Sequence, residues 1–153
     1  MSKINGIYAA SVSILDENLK LDIHKTIRHT ENLIKSGCHG VGIFGSTGQS
    51  QQISLEEKFE LIQNISKSKF KDKFIIGTGL NSLQDTISLI KISNSYNFNN
   101  FLIMPPAYYM YEDKDVIRFY IKLNLREELK MKILSNLYCL SFLINLKVPN
   151  TPS

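Results

Sequence analysis

The chain is poor in the residues that would mark a redox, metal or exported protein. Its two cysteines, Cys38 and Cys139, make neither a CxxC pair nor a metal-binding spacing, so a reduced cytoplasmic protein is expected. Its three histidines are equally sparse. His24 and His29 are five residues apart and miss a common helical face, and His39 stands before a glycine with no carboxylate or cysteine partner, so no metal is expected. The first residues, Met1-Ser2-Lys3-Ile4-Asn5-Gly6, lack the apolar stretch of a signal peptide. Long apolar runs are missing too. The best, residues 137–146, is interrupted by Ser141 and Asn145 and falls short of the roughly 20 residues that span a bilayer.

A concentrated basic surface is also lacking. The net charge is +4, but up to Arg118 there are 13 basic against 12 acidic residues. From Phe119 onward there are 5 basic against 2 acidic residues, with no interleaving of aromatic and basic side chains, so nucleic acid is not the expected partner.

What is present is enough apolar content, 43% of residues, to bury the core of one domain. Short apolar runs at 7–12, 41–44, 74–76 and 101–104 read as strands. Between them lie amphipathic stretches. One starts at Asp22 with Ile23, Ile27, Leu33 and Ile34 on one side and ends at Gly37; the next carries Leu55, Phe59, Ile62 and Ile65. A third starts at Ser82 with Leu83, Ile87 and Ile90 aligned, and a fourth runs from about Asp113 with Val116, Ile117, Tyr120 and Ile121. Continuous apolar strands alternating with helices predict a parallel sheet covered by helices. Four units of about 30 residues suit either a doubly wound sheet or an eight-fold barrel.

The stretch Gly42-Ile43-Phe44-Gly45-Ser46-Thr47-Gly48-Gln49 carries the most chemical information. Two adjacent hydroxyls between glycines, at the end of a strand, offer side-chain and backbone donors to a carboxylate- or phosphate-sized anion. The same residues could also form a serine-threonine turn that satisfies only its own backbone. Ser54-Leu55-Glu56-Glu57 follows as a capping box. Residues 40–45 match GxGxxG, but a dinucleotide loop must follow a strand and open a helix, and here the motif's apolar positions are the strand. No phosphate-loop lysine follows the glycines; Gln49-Ser50 stands there.

In order and spacing, four further matches accompany this stretch: Gly6-Ile7-Tyr8-Ala9, Gly37-Cys38-His39-Gly40-Val41, Gly77-Thr78-Gly79 and Pro105-Pro106-Ala107-Tyr108-Tyr109. From Gly6 to about Leu123 the chain resembles the dihydrodipicolinate synthase / N-acetylneuraminate lyase family. The resemblance implies an α/β fold, the N-terminal half of a (β/α)8 TIM barrel, with chemistry at the C-terminal strand ends. It implies a lyase or aldolase that condenses or cleaves pyruvate-derived 2-oxo acids through a Schiff base, with no cofactor, acting as a cytoplasmic homo-oligomer. A protonated imine is an electron sink that stabilises the carbanion equivalent beside it.

By position, the resemblance makes Ser46 and Thr47 the pair that binds the pyruvate carboxylate and Ser46 the start of a proton relay. Tyr109 becomes the catalytic tyrosine that crosses a subunit interface, or packs within it; the extra Ala107 leaves Tyr108 as an alternative. Gly77 and Gly79 are expected to let backbone pack beside the site. A Ser-Thr pair is more like the sialic-acid lyases than the Thr-Thr of many synthases, and Gln49 replaces the usual Glu. Neither residue fixes the second substrate.

The family continues into a fifth strand ending in a relay tyrosine and a sixth carrying the imine lysine. Here Tyr138 has the wrong context for the first, and Lys147 comes too early for the second, so no Schiff-base lysine is assigned. The expected organisation is a half barrel over residues 1–125 and a divergent tail over 126–153, in a truncated or frame-shifted copy or a gene fragment. The alternative function is a non-catalytic half-barrel fragment or oligomerisation module.

Overall fold

The computed structural model of the chain describes residues 6–106, 110, 112–124 and, as backbone, 132–135. Five strands form one parallel sheet in the order of the chain: β1 (Tyr8–Ala10), β2 (Gly40–Ile43), β3 (Phe74–Gly77), β4 (Asn100–Ile103) and β5 (Lys132–Ser135). Helices α1 (Ile23–Lys35), α2 (Leu55–Ile65), α3 (Leu83–Ser95) and α4 (Asp113–Asn124) connect them. A doubly wound sheet reverses its strand order at a switch point, and this one does not. Strictly sequential order is that of a barrel wall, which decides between the two architectures the sequence rhythm allows.

Register explains the core. Val41 pairs with Phe74, Ile43 with Ile76, and Ile76 with Phe101, so these side chains share one face. All are at most 2% exposed and join Leu61, Ile62, Ile65, Ile87, Leu89 and Ile90 in a single core.

The first three helices start where their caps predict. The Asp22 carboxylate accepts from Lys25 N at 2.9 Å, and Ser82 Oγ accepts from Asp85 N at 3.2 Å. At α2 the full capping box forms. Glu57 N donates to Ser54 Oγ at 3.2 Å, and Ser54 N donates back to Glu57 Oε2 at 2.9 Å.

The buried stripes are shifted from the apolar ones. On α1 they are Ile23, Thr26, Thr30 and Ile34, with Ile27 and Leu33 only half-buried. Thr26 is tolerated because its Oγ1 accepts from Ile14 N at 3.1 Å, and Thr30 because its Oγ1 donates to Ile27 O at 2.7 Å. On α2 they are Lys58, Leu61, Ile62 and Ile65. On α4 Phe119 and Leu123 are buried and Ile121 is exposed, with Tyr120 donating its hydroxyl to Ile103 O at 2.9 Å.

The sheet holds one strand more than periodicity predicts. β5 lies within the stretch expected to be a divergent tail, paired with β4 from Asn100↔Lys132 to Ile103↔Ser135. Its sequence, Lys-Ile-Leu-Ser, has only two consecutive apolar residues, too few to signal a strand alone. It ends on Ser135; Tyr138 lies outside the described residues.

Candidate functional site at the C-terminal strand ends

The hydroxyl pair follows β2 directly. Phe44 leaves the strand in the left-handed region, φ 57°, although it is a bulky residue only 1% exposed. That conformation costs about 1–2 kcal/mol and persists only where neighbours enforce it. The enforcement is visible. Gly77 lies so close to the carbonyls of Ile43 and Phe44 that any Cβ there would collide with them. Gly79, at φ 54°, is pressed against Ser50, whose Oγ donates to Thr78 O at 3.3 Å. The Gly-Thr-Gly turn after β3 is thus a backbone-only surface on which the turn after β2 rests.

Residues 45–52 fold back on themselves. Gly48 N donates to Gly45 O at 3.1 Å, Gln49 N to Ser46 O at 3.0 Å, and Gln52 N to Gln49 O at 2.8 Å, with Gln49 also left-handed at φ 50°. Ser13, from the loop after β1, donates its Oγ to Gly48 O at 2.7 Å. Every hydrogen bond in this turn uses backbone or a neighbouring serine. Ser46 and Thr47 are exposed, and among the described residues neither hydroxyl and neither backbone N–H has a partner. The self-satisfied serine-threonine turn is therefore not what forms.

Ser46 lines a cleft of about 350 Å³ together with Gln49, Ser50, Gln51, Gln52 and Met104, the last from the end of β4. Thr47 is next to it in the turn but is not among the lining residues. Tyr108, Tyr109 and Lys147 lie outside the described residues.

Beneath the cleft is a residue that sequence reading passed over. Lys58 on α2 is 0% exposed. Its Nζ donates to Thr78 O at 3.2 Å, the carbonyl that Ser50 also uses, and stands 5.8 Å from the centre of the Phe44 ring. Burial pushes its ammonium down to about 8, against the pull of the Asp85 carboxylate on α3. The signal was available: Lys58, Leu61, Ile62 and Ile65 follow i, i+3, i+4, i+7, and a lysine opens the stripe.

Glu57, next to it, faces the other way. Its Oε1 accepts from Leu21 N at 2.8 Å while Oε2 holds Ser54, tying the start of α2 to the entrance of α1. The Leu21 N–H bond, opposed by desolvation and aided by Ser54, holds its carboxyl below the usual range.

The histidines do structural work where the structure defines it. His39 Nδ1 accepts from Ile7 N at 3.0 Å, and His39 N donates to Ile7 O at 2.8 Å, which fastens β1 to β2. Among the described residues no three His, Cys, Asp or Glu side chains converge as a metal site, and no helix is long and apolar enough to cross a membrane.

Comparison with known proteins agrees with the fold. The model of the dihydrodipicolinate synthetase family matches residues 3–138. A probable mitochondrial 4-hydroxy-2-oxoglutarate aldolase from Emericella nidulans is 30% identical over 112 residues, covering 69% of this chain and 36% of that protein. A 4-hydroxy-tetrahydrodipicolinate synthase from Leptospira biflexa is 34% identical over 104 residues, covering 67% of this chain and 35% of that protein. Among solved structures, a variant of the Sulfolobus solfataricus 2-keto-3-deoxygluconate aldolase superposes with a TM-score of 0.75 at 26% identity, over 86% of this chain and 44% of that one. Dihydrodipicolinate synthase from Agrobacterium tumefaciens superposes equally well, TM-score 0.75, at 19% identity, which supports the fold alone. The chain spans about a third of the length of these curated relatives and under half of the solved chains. Within that span the wall of sequential parallel strands is shared architecture, and the chain belongs to the dihydrodipicolinate synthetase family.

Proposed function

We propose that this chain carries the carboxylate-binding part of a pyruvate-dependent Schiff-base lyase or aldolase site. One observation carries the reading: the Ser46 and Thr47 hydroxyls and N–H groups stand free at the C-terminal end of β2, beside a ligand-sized cleft. Free donors aimed outward suit the two oxygens of a 2-oxo acid carboxylate, with charge-assisted hydrogen bonds. In this reading Ser46 also passes protons, Tyr109 or Tyr108 completes the relay from a neighbouring copy, and the protein is a cytoplasmic homo-oligomer that needs no cofactor. The names of its relatives, aldolases of hydroxy-oxo acids and a tetrahydrodipicolinate synthase, support a 2-oxo acid as the ligand.

A second reading has its own support. Among the described residues no strand carries a lysine at its C-terminal end, and β5 ends on Ser135. The isolated chain would then bind a carboxylate without forming an imine.

The two readings part in one experiment. Pyruvate should shift the amide signals of Ser46 and Thr47, and Ser46→Ala should abolish the shift at unchanged stability, as expected for an exposed position. Borohydride reduction in the presence of pyruvate should leave no adduct on this chain. No shift at either amide would sink the carboxylate site; an adduct on any lysine would sink the non-catalytic reading.

A further inference from the structure

We propose that Lys58 is the positioning cation of the Ser46 cleft: its buried ammonium, held on the Thr78 carbonyl behind Ser50, makes the cleft select a carboxylate over a neutral carbonyl compound. The proposal rests on the carboxylate reading above and supplies the positive charge which that reading otherwise lacks.

The cleft lining is Ser46, Gln49, Ser50, Gln51, Gln52 and Met104, with no charged side chain among them. An anion seated there finds donors but no countercharge in the wall. The charge is one layer down. Ser50 is part of the wall, and its Oγ and the Lys58 Nζ converge on the same oxygen, Thr78 O, at 3.3 and 3.2 Å. The ammonium is therefore within two hydrogen-bond lengths of the wall, in a region where water does not screen it.

The ammonium itself is under-partnered. It makes one hydrogen bond and, among the described residues, no ion pair. The residue it bonds to is under-satisfied as well: Thr78 Oγ1 is buried with no hydrogen-bond partner among the described residues. A buried, incompletely compensated charge is destabilising, and an apolar side chain would fill the same stripe position between Ser54 and Leu61. An anion on the far side of Ser50 gives the charge its use.

The charge is also adjustable. Lys58 faces Phe44 at the end of β2, the Thr78 carbonyl after β3, Ser50 from 50–52 and Asp85 from α3; of these only Asp85 titrates, and its carboxylate favours the ammonium. With burial holding the amine near 8, the cation is present at neutral pH and lost in mildly alkaline solution.

The test uses the full chain, with sodium pyruvate and its neutral amide as probes, read at the Ser46 and Thr47 amide signals. Pyruvate affinity should fall about tenfold between about pH 7 and about pH 9.5, and Lys58→Met should bind pyruvate about tenfold more weakly at pH 7 with no further loss on raising the pH. Pyruvamide should respond to neither change. A purely structural lysine would alter both ligands together. Equal pyruvate affinity in Lys58→Met and wild type, or a flat wild-type profile over that pH range, overturns the assignment of Lys58 and leaves the carboxylate site standing. No pyruvate shift in wild type at either pH overturns both. If Lys58→Met does not fold, the wild-type profile decides alone.

Discussion

At the residue scale two neighbours on α2 both make stability rise with pH, in different pH ranges and for different reasons. Lys58 holds its proton less tightly folded, near 8, than at its ordinary value of 10.5. Between those values unfolding takes up a proton, so raising the pH should stabilise the fold. Urea unfolding at about pH 7 and about pH 9.5 should show a rise in wild type that Lys58→Met lacks; equal slopes in both would contradict the buried ammonium. Glu57 acts in the acid range. Its folded carboxyl lies below its ordinary 4.5, so its contribution is intact above that value and lost as the pH falls through the folded pKa. Glu57→Gln should flatten the acid limb of the stability curve, and an unchanged limb would mean the Leu21 bond contributes nothing. Gly77 gives the sharpest steric case. Gly77→Ala sets a methyl against the Phe44 carbonyl and should destabilise by about 1–3 kcal/mol, while releasing the left-handed Phe44.

Among elements, α2 matters most because two neighbours in its first turn reach in different directions. Its first turn holds Glu57 on the loop before α1, and its buried face places Lys58 under Thr78. Ser54→Ala removes the side-chain half of the capping box and should cost about 1 kcal/mol in chemical denaturation. A loss below about 0.3 kcal/mol would show that tertiary packing, not the cap, fixes where α2 begins. The legibility of the elements followed the same division. Caps are local chemistry, and Asp22, Ser54 and Ser82 were readable as such. The buried stripes were less so, because Thr26, Thr30 and Lys58 occupy core positions by virtue of hydrogen bonds to Ile14, Ile27 and Thr78 that no periodicity encodes.

For the whole molecule, the described sheet is an arc with two edges, β1 and β5, that pair on one side only. A closed barrel has no such edges, and unpaired strand backbone invites another chain. Near β1 the flanking apolar residues Ile7 and Val12 are 69% and 44% exposed. The chain should therefore self-associate, with a mass in light scattering or sedimentation that rises with concentration. A monomer of constant mass across the soluble range would contradict this.

The sequence by itself determined the helix starts, four of the five strands and the position of the hydroxyl pair. These follow from short-range rules: alternation, capping and turn chemistry act within a few residues of each other. Only the tertiary structure decided three things. It chose the barrel wall over the doubly wound sheet, because strand order is a relation between distant segments. It made Lys132–Ser135 a strand, because a short segment acquires that state by pairing with β4. It placed Lys58 behind Ser50, because the carbonyl they share belongs to a turn 20 residues away from the lysine, and only folding brings the two to one oxygen.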